Sequence, residues 1–191
     1  MFLPVVHKGV TLTEIPNRIS VFFEFGNCQC GCIGCHSTEL WDSEETYTMP
    51  NMKESDIIDY AEEQMEKGAN AIVFLGGLQN SGVSIIALRR LVKTFYDKGY
   101  DVGLYDGTGS FLEDIYPIFN KGCDCMLKWI KTGRYLYGRG GLDDPNTNQK
   151  FYEKKNYLSI GDGELICVER FTFRDMTEKY FQKGKKNEHY N

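Results

Sequence analysis

Short apolar stretches alternate with longer amphipathic ones along most of this chain. Ile19 to Phe25 reads as a buried strand, and Ala71 to Leu75 is wholly apolar, as a parallel strand covered on both faces would be. Val102 to Tyr105 and Cys125 to Ile130 are the third and fourth candidates. Between the first two, Ile58, Ala61 and Met65 share one face of a helix from about Met52 to Lys67. Asn51 and Glu54 have the spacing of a capping box at its start, and Gly68 supplies its stop. Residues 82–98 carry Ile85, Leu88, Val92 and Phe95 on one stripe and end at Gly99. A third helix from about Ser110 to Asn120 must shorten or bend at Pro117. Pro4 and Pro16 set residues 1–18 as an extended lead-in or edge strand. After Gln149, two strands flank Gly161-Asp162-Gly163, and the polar, basic tail from Thr177 is expected to fray. The alternation predicts an α/β fold, a mostly parallel sheet with helical cover.

At 191 residues the chain suits one domain with a substantial core, and no repeat or linker divides it. A net charge of −5 argues against a general nucleic-acid surface. No apolar run approaches the roughly 18–20 residues that cross a bilayer. The start MFLPVVHKGV lacks the basic region of a signal peptide, so a cytoplasmic, oxygen-avoiding protein is expected.

Four of the seven cysteines, Cys28, Cys30, Cys32 and Cys35, crowd the loop after the first strand. Cys28, Cys32 and Cys35 are spaced C-x3-C-x2-C, which lets three thiolates face one small centre. The spacing leaves three readings open. One is an iron–sulfur cluster held by three thiolates, with one iron free for an exogenous ligand. Another is zinc on four of Cys28, Cys30, Cys32, Cys35 and His36, although Cys123 and Cys125 make a poor second knuckle. The third is unliganded thiols; a disulfide pair does not suit a reducing compartment. Cys123, Cys125 and Cys167 read as packed thiols, which behave as small hydrophobes. His7 reads as a surface residue, and Glu39, Asp42, Glu44 and Glu45 as a solvated loop or a docking face for a basic partner.

The stretch GNCQCGCIGCHSTELW resembles the radical S-adenosylmethionine (SAM) superfamily and, within it, the activating proteins of anaerobic ribonucleoside-triphosphate reductase. The match there includes Gly34, Cys35, His36 and Trp41. A second stretch, IKTGRYLYGRGGLDDPNTNQKFY, is similar to that family's late segment of Lys-x-Gly-x-Tyr, Gly-Gly-Leu and Thr-Asn-Gln. The resemblance spans 18 to about 152, and implies a single radical SAM domain over 1–191 with C-terminal strands and a basic tail over 153–191.

The fold so implied is an open, partial (β/α) barrel. The implied cofactors are a [4Fe-4S] cluster on Cys28, Cys32 and Cys35 and SAM in a shell of Gly34, Cys35, His36, Gly76 and Gly77. Cys30 is read as a non-ligand, with substitution for a neighbour as the alternative. The family's Gly-Gly-Glu or Gly-Gly-Asp step has Leu78 here in place of the carboxylate, so backbone carbonyls must carry that contact. The implied activity is reductive cleavage of SAM to install a glycyl radical on the reductase, with a flavodoxin or ferredoxin as electron donor. A different glycyl-radical enzyme as partner, or a zinc-binding module without turnover, are the alternatives. Asp106 reads as a turn residue, or as a ligand for a ribose hydroxyl. Lys131 opens the late segment without a role that its type alone assigns. Residues Gly133 to Asn148 read as an ordered loop over the cluster or facing the partner.

Overall fold

A computed structural model describes residues 1–41, 51–156 and 171–182. The strands are β1 (Phe2–Leu3), β2 (Val5–Thr11), β3 (Ser20–Phe25), β4 (Met52–Lys53), β5 (Ala71–Leu75), β6 (Val102–Tyr105), β7 (Asn120–Lys121), β8 (Asp124–Cys125), β9 (Trp129–Thr132), β10 (Lys150–Asn156) and β11 (Phe171–Asp175). The α-helices are α1 (Glu54–Glu66), α2 (Ile85–Asp97), α3 (Leu112–Ile115) and α4 (Thr177–Phe181). Seven strands form one sheet in the order β11-β10-β9-β6-β5-β3-β2. Its centre, β9-β6-β5-β3, is parallel, and β2, β10 and β11 join antiparallel. The result is a mixed α/β fold with a largely parallel central sheet.

Strand alternation divides the core between the two faces of the sheet. One face carries Val21, Phe23, Phe25, Ile72, Phe74, Val102 and Leu104 beneath Ile57 and Ala61 of α1 and Leu88, Leu91, Val92 and Phe95 of α2. Phe74 stands at its middle, its ring 5.8 Å from those of Phe23 and Phe25 and 6.2 Å from that of Phe95. The other face carries Ala71, Val73, Trp129 and Phe151, covered by Ile15 and the C-terminal segment. Gly103 lets Ile15 approach, since a Cβ there would stand 2.9 Å from its Cδ1.

Several sequence expectations shift. The capping box at Asn51 and Glu54 does not form. Met52–Lys53 pairs instead with Phe2–Leu3, and the Glu54 carboxylate accepts from Arg90 of α2. The third helix shortens as Pro117 requires, to α3 and a 3-10 turn over Tyr116–Phe119. The fourth strand begins at Trp129 rather than Cys125, because Asp124–Cys125 turns back on Asn120–Lys121. Cys125 is a buried thiol outside any disulfide, as expected, whereas Cys123 is disulfide-bonded rather than a packed thiol. Cys167, Asp42, Glu44, Glu45 and the turn at 161–163 lie outside the described residues.

The segment from Thr177 does not fray at its start. Thr177 accepts the Phe151 N–H at 2.8 Å, and the Phe181 ring packs 5.3 Å from that of Phe151. The end of the chain's described part thus closes the second core. Phe181→Ala is expected to cost about 1–2 kcal/mol, the lower range for a partly buried aromatic, read as a lowered denaturation midpoint at unchanged slope.

Candidate functional site

The carboxyl ends of β3, β5, β6 and β9 lie at one edge of the sheet, where α/β folds bind ligands. The segments that leave them, 26–41, 76–84, 106–111 and 133–149, surround a cavity of about 530 Å³. Cys28, Cys30, Cys32 and Cys35 all line it, each partly exposed.

Backbone pairing fixes the root of the cysteine loop. The Cys28 N–H donates to Leu40 O at 2.7 Å, Gln29 N–H to Gln79 O at 3.0 Å, and Ser81 N–H to Asn27 O at 2.9 Å. The loop that follows β5 therefore lies alongside residues 27–29, with Cys28 bridged to both Trp41 and Asn80. Beyond Cys28 the loop winds through left-handed Gly31 (φ 53°) and Gly34 (φ 75°). The Cys35 N–H bonds Cys32 O at 3.0 Å, and Cys35 Sγ accepts the Ser37 N–H at 3.4 Å. Cys30 Sγ donates to Gly107 O at 3.0 Å.

A hydrogen bond from Cys30 pulls the Cys28 thiol down to about 6, and the same contact raises Cys30. Arg134, from the loop after β9, hydrogen-bonds Cys32, and that thiolate raises its guanidinium further. A positive group thus faces the thiols.

Asn80 carries no sequence signal and proves central. Its Oδ1 accepts the Gly77 N–H at 2.7 Å, and its Nδ2 donates to Phe25 O and Gly26 O, each at 2.8 Å. One buried amide thus joins the end of β3 to the Gly-Gly turn after β5. Asn80→Ala strands an N–H and two carbonyls, and is expected to cost about 2 kcal/mol, read by chemical denaturation. The two bonds to the end of β3 span 55 and 54 residues, so no local pattern announces them.

Gly76 lines the cavity, and Gly77 sits beside it with φ 127°. Leu78 points away from the cavity and packs on the first core. Gln79 lines the cavity in its stead, with a buried Oε1 that has no hydrogen-bond partner among the described residues. His36 and Tyr135 meet edge to face across the mouth, centroids 6.4 Å apart, and Tyr137 lies against Gly34. The glycine-rich loop 133–149 does cover this edge, with Tyr135, Leu142, Asp143 and Gln149 in the lining.

The opposite wall is charged. Asp106, 2% exposed, accepts from the Thr108 N–H at 3.3 Å and its Oγ1 at 2.7 Å, the self-bonded turn expected of it. Burial raises its carboxyl nonetheless. Lys131 lies over the Tyr105 ring, 5.2 Å from its centroid, and burial lowers its ammonium. Burial likewise raises Glu24.

A cluster of irons and sulfides suits this donor set. Four soft thiols border one cavity at a strand's end, beside a guanidinium and unpaired amide oxygen. Among the described residues no three His, Cys, Asp or Glu side chains are grouped as one metal ion would group them. A cube places each thiolate on its own iron and does not demand that grouping.

Fold and site define an α/β protein with four cysteines gathered at the carboxyl edge of its parallel sheet. The chain belongs to the 4Fe-4S single cluster domain family, whose model matches residues 17–157. Searches of curated proteins and of solved structures found no match. No helix among the described residues is long and apolar enough to cross a membrane.

Proposed function

We propose that the protein is a radical SAM activase that generates a glycyl radical on an anaerobic ribonucleoside-triphosphate reductase. The observation that carries this reading is the cavity itself. It is bordered on one side by Cys28, Cys32 and Cys35 and on the other by Gly76 and Gln79, with room beyond the thiols for a second ligand. Cys28, Cys32 and Cys35 hold the cluster in this reading. So held, and reduced by a flavodoxin or ferredoxin, the cluster would supply the one electron for reductive cleavage of SAM.

The chain's own groups bind, orient and shield. Backbone groups of Gly76 meet SAM where no Cβ intervenes, and Gln79 offers its unpaired amide oxygen to the SAM ammonium in place of the carboxylate that Leu78 lacks. His36 and Tyr135 present ring surface at the mouth, suited to an adenine. Loop 133–149 keeps water from the radical. This reading expects an open, partial (β/α) barrel, and the parallel β9-β6-β5-β3 centre with the cysteine loop at its carboxyl edge supports it.

The test is anoxic incubation of the cluster-loaded protein with the reductase, SAM and dithionite, followed by electron paramagnetic resonance. A doublet from a glycyl radical on the reductase supports the reading. SAM cleavage with no radical on the reductase, but one on another glycyl-radical enzyme, would reassign the partner.

A further inference from the structure

The loop holds one more thiol than a three-thiolate cluster uses. Cys30 lines the same cavity as Cys28, Cys32 and Cys35 and faces the inside, where its Sγ meets Gly107 O at 3.0 Å across the cavity from its own loop. It touches Cys28 as well. A residue needed only to fill space would pack in a core, and Cys30 belongs to neither of the two cores.

Its tethers are light. Beyond the cysteines, its side chain donates to one carbonyl among the described residues, and a thiol is a weak donor. Gly31, next in the chain, has left-handed backbone, and none of the described residues stands within 4 Å of its Cβ position. Gln29, just before it, is pinned through its N–H to Gln79 O. Cys30 therefore sits between a fixed residue and one with room to turn.

We propose that Cys30 is a fourth thiolate ligand of the cluster, closing it while the cavity is empty and yielding its place to an exogenous ligand. The proposal rests on the three-thiolate reading above. Ligation releases the Cys30 proton to solvent, and displacement returns it, leaving the thiol to donate to Gly107 O as the structure has it. No electron moves in the exchange. A closed cluster resists loss of iron, and the exchange makes the reactive form appear only when SAM has bound.

The experiment is differential alkylation of the cluster-loaded wild-type protein under anoxia, with peptide mass spectrometry. Cys30 is expected to be protected from iodoacetamide without SAM and labelled severalfold more with it. Cys28, Cys32 and Cys35 stay protected in both. In parallel, Cys30→Ala loaded with cluster is expected to give a severalfold larger three-iron signal than wild type after mild ferricyanide oxidation. Equal labelling of Cys30 with and without SAM, or equal three-iron signals, would overturn the proposal while leaving the three-ligand cluster standing. Failure of the wild type to take up iron would instead end the reading on which the proposal rests.

Discussion

Cys32→Ala is expected to abolish SAM cleavage, bringing 5′-deoxyadenosine to background, whereas Cys30→Ala keeps substantial turnover. Cys32 is the middle cysteine of C-x3-C-x2-C, and its carbonyl also receives the Cys35 N–H. Alanine leaves that backbone bond intact and removes only the thiolate, so the loss is one of ligation. The side chain is partly exposed and outside both cores, so the fold should change by less than about 1 kcal/mol. Iron and sulfide per protein fall with the activity in Cys32→Ala. Equal loss of cleavage in the two variants would remove the distinction between Cys30 and its neighbours.

Gly77→Ala is the second large effect, and it acts on the fold. Gly77 has φ 127°, a region essentially reserved for glycine, which costs an alanine about 1–3 kcal/mol. Its Cβ would also stand 2.7 Å from Leu88 Cδ2 in the first core, an overpacking of similar cost. The two together predict a loss of about 3 kcal/mol, or roughly 10 °C in melting temperature for a chain of this size. The Gly77 N–H also anchors Asn80, so the strain passes to the end of β3 and the root of the cysteine loop. SAM affinity should fall in the same variant at temperatures where it remains folded. A loss below about 1 kcal/mol would mean that the turn relaxes freely and is no rigid wall of the site.

Much of the arrangement is legible from local pattern. The apolar run Ala71 to Leu75 is a strand because all its side chains have a covered face, and of the stripe Ile85, Leu88, Val92 and Phe95 the last three are buried, while Ile85, in the first turn of α2, is exposed. The cysteine loop leaves the first parallel strand as C-x3-C-x2-C led one to expect, and Asp106 makes the turn its type favours. Long-range bonds account for what the pattern misses. The helix α1 has no capping box because the chain's first residues pair with Met52–Lys53, a partner some fifty residues away. Phe181 belongs to a core because Phe151 lies opposite it, which its polar neighbours conceal. Leu78, where the resemblance expects a carboxylate, faces the core, and Gln79 takes the cavity position beside it. Asn80 ties two strand ends by contacts that no spacing rule encodes.

The most direct measurement of the central claim is anoxic reconstitution with iron and sulfide, a visible spectrum, and chromatography for 5′-deoxyadenosine after dithionite and SAM are added. A broad brown absorption with 5′-deoxyadenosine above the no-protein control is the predicted result. A brown protein that forms none would contradict the SAM chemistry while keeping the cluster, and a colourless protein holding zinc would contradict both.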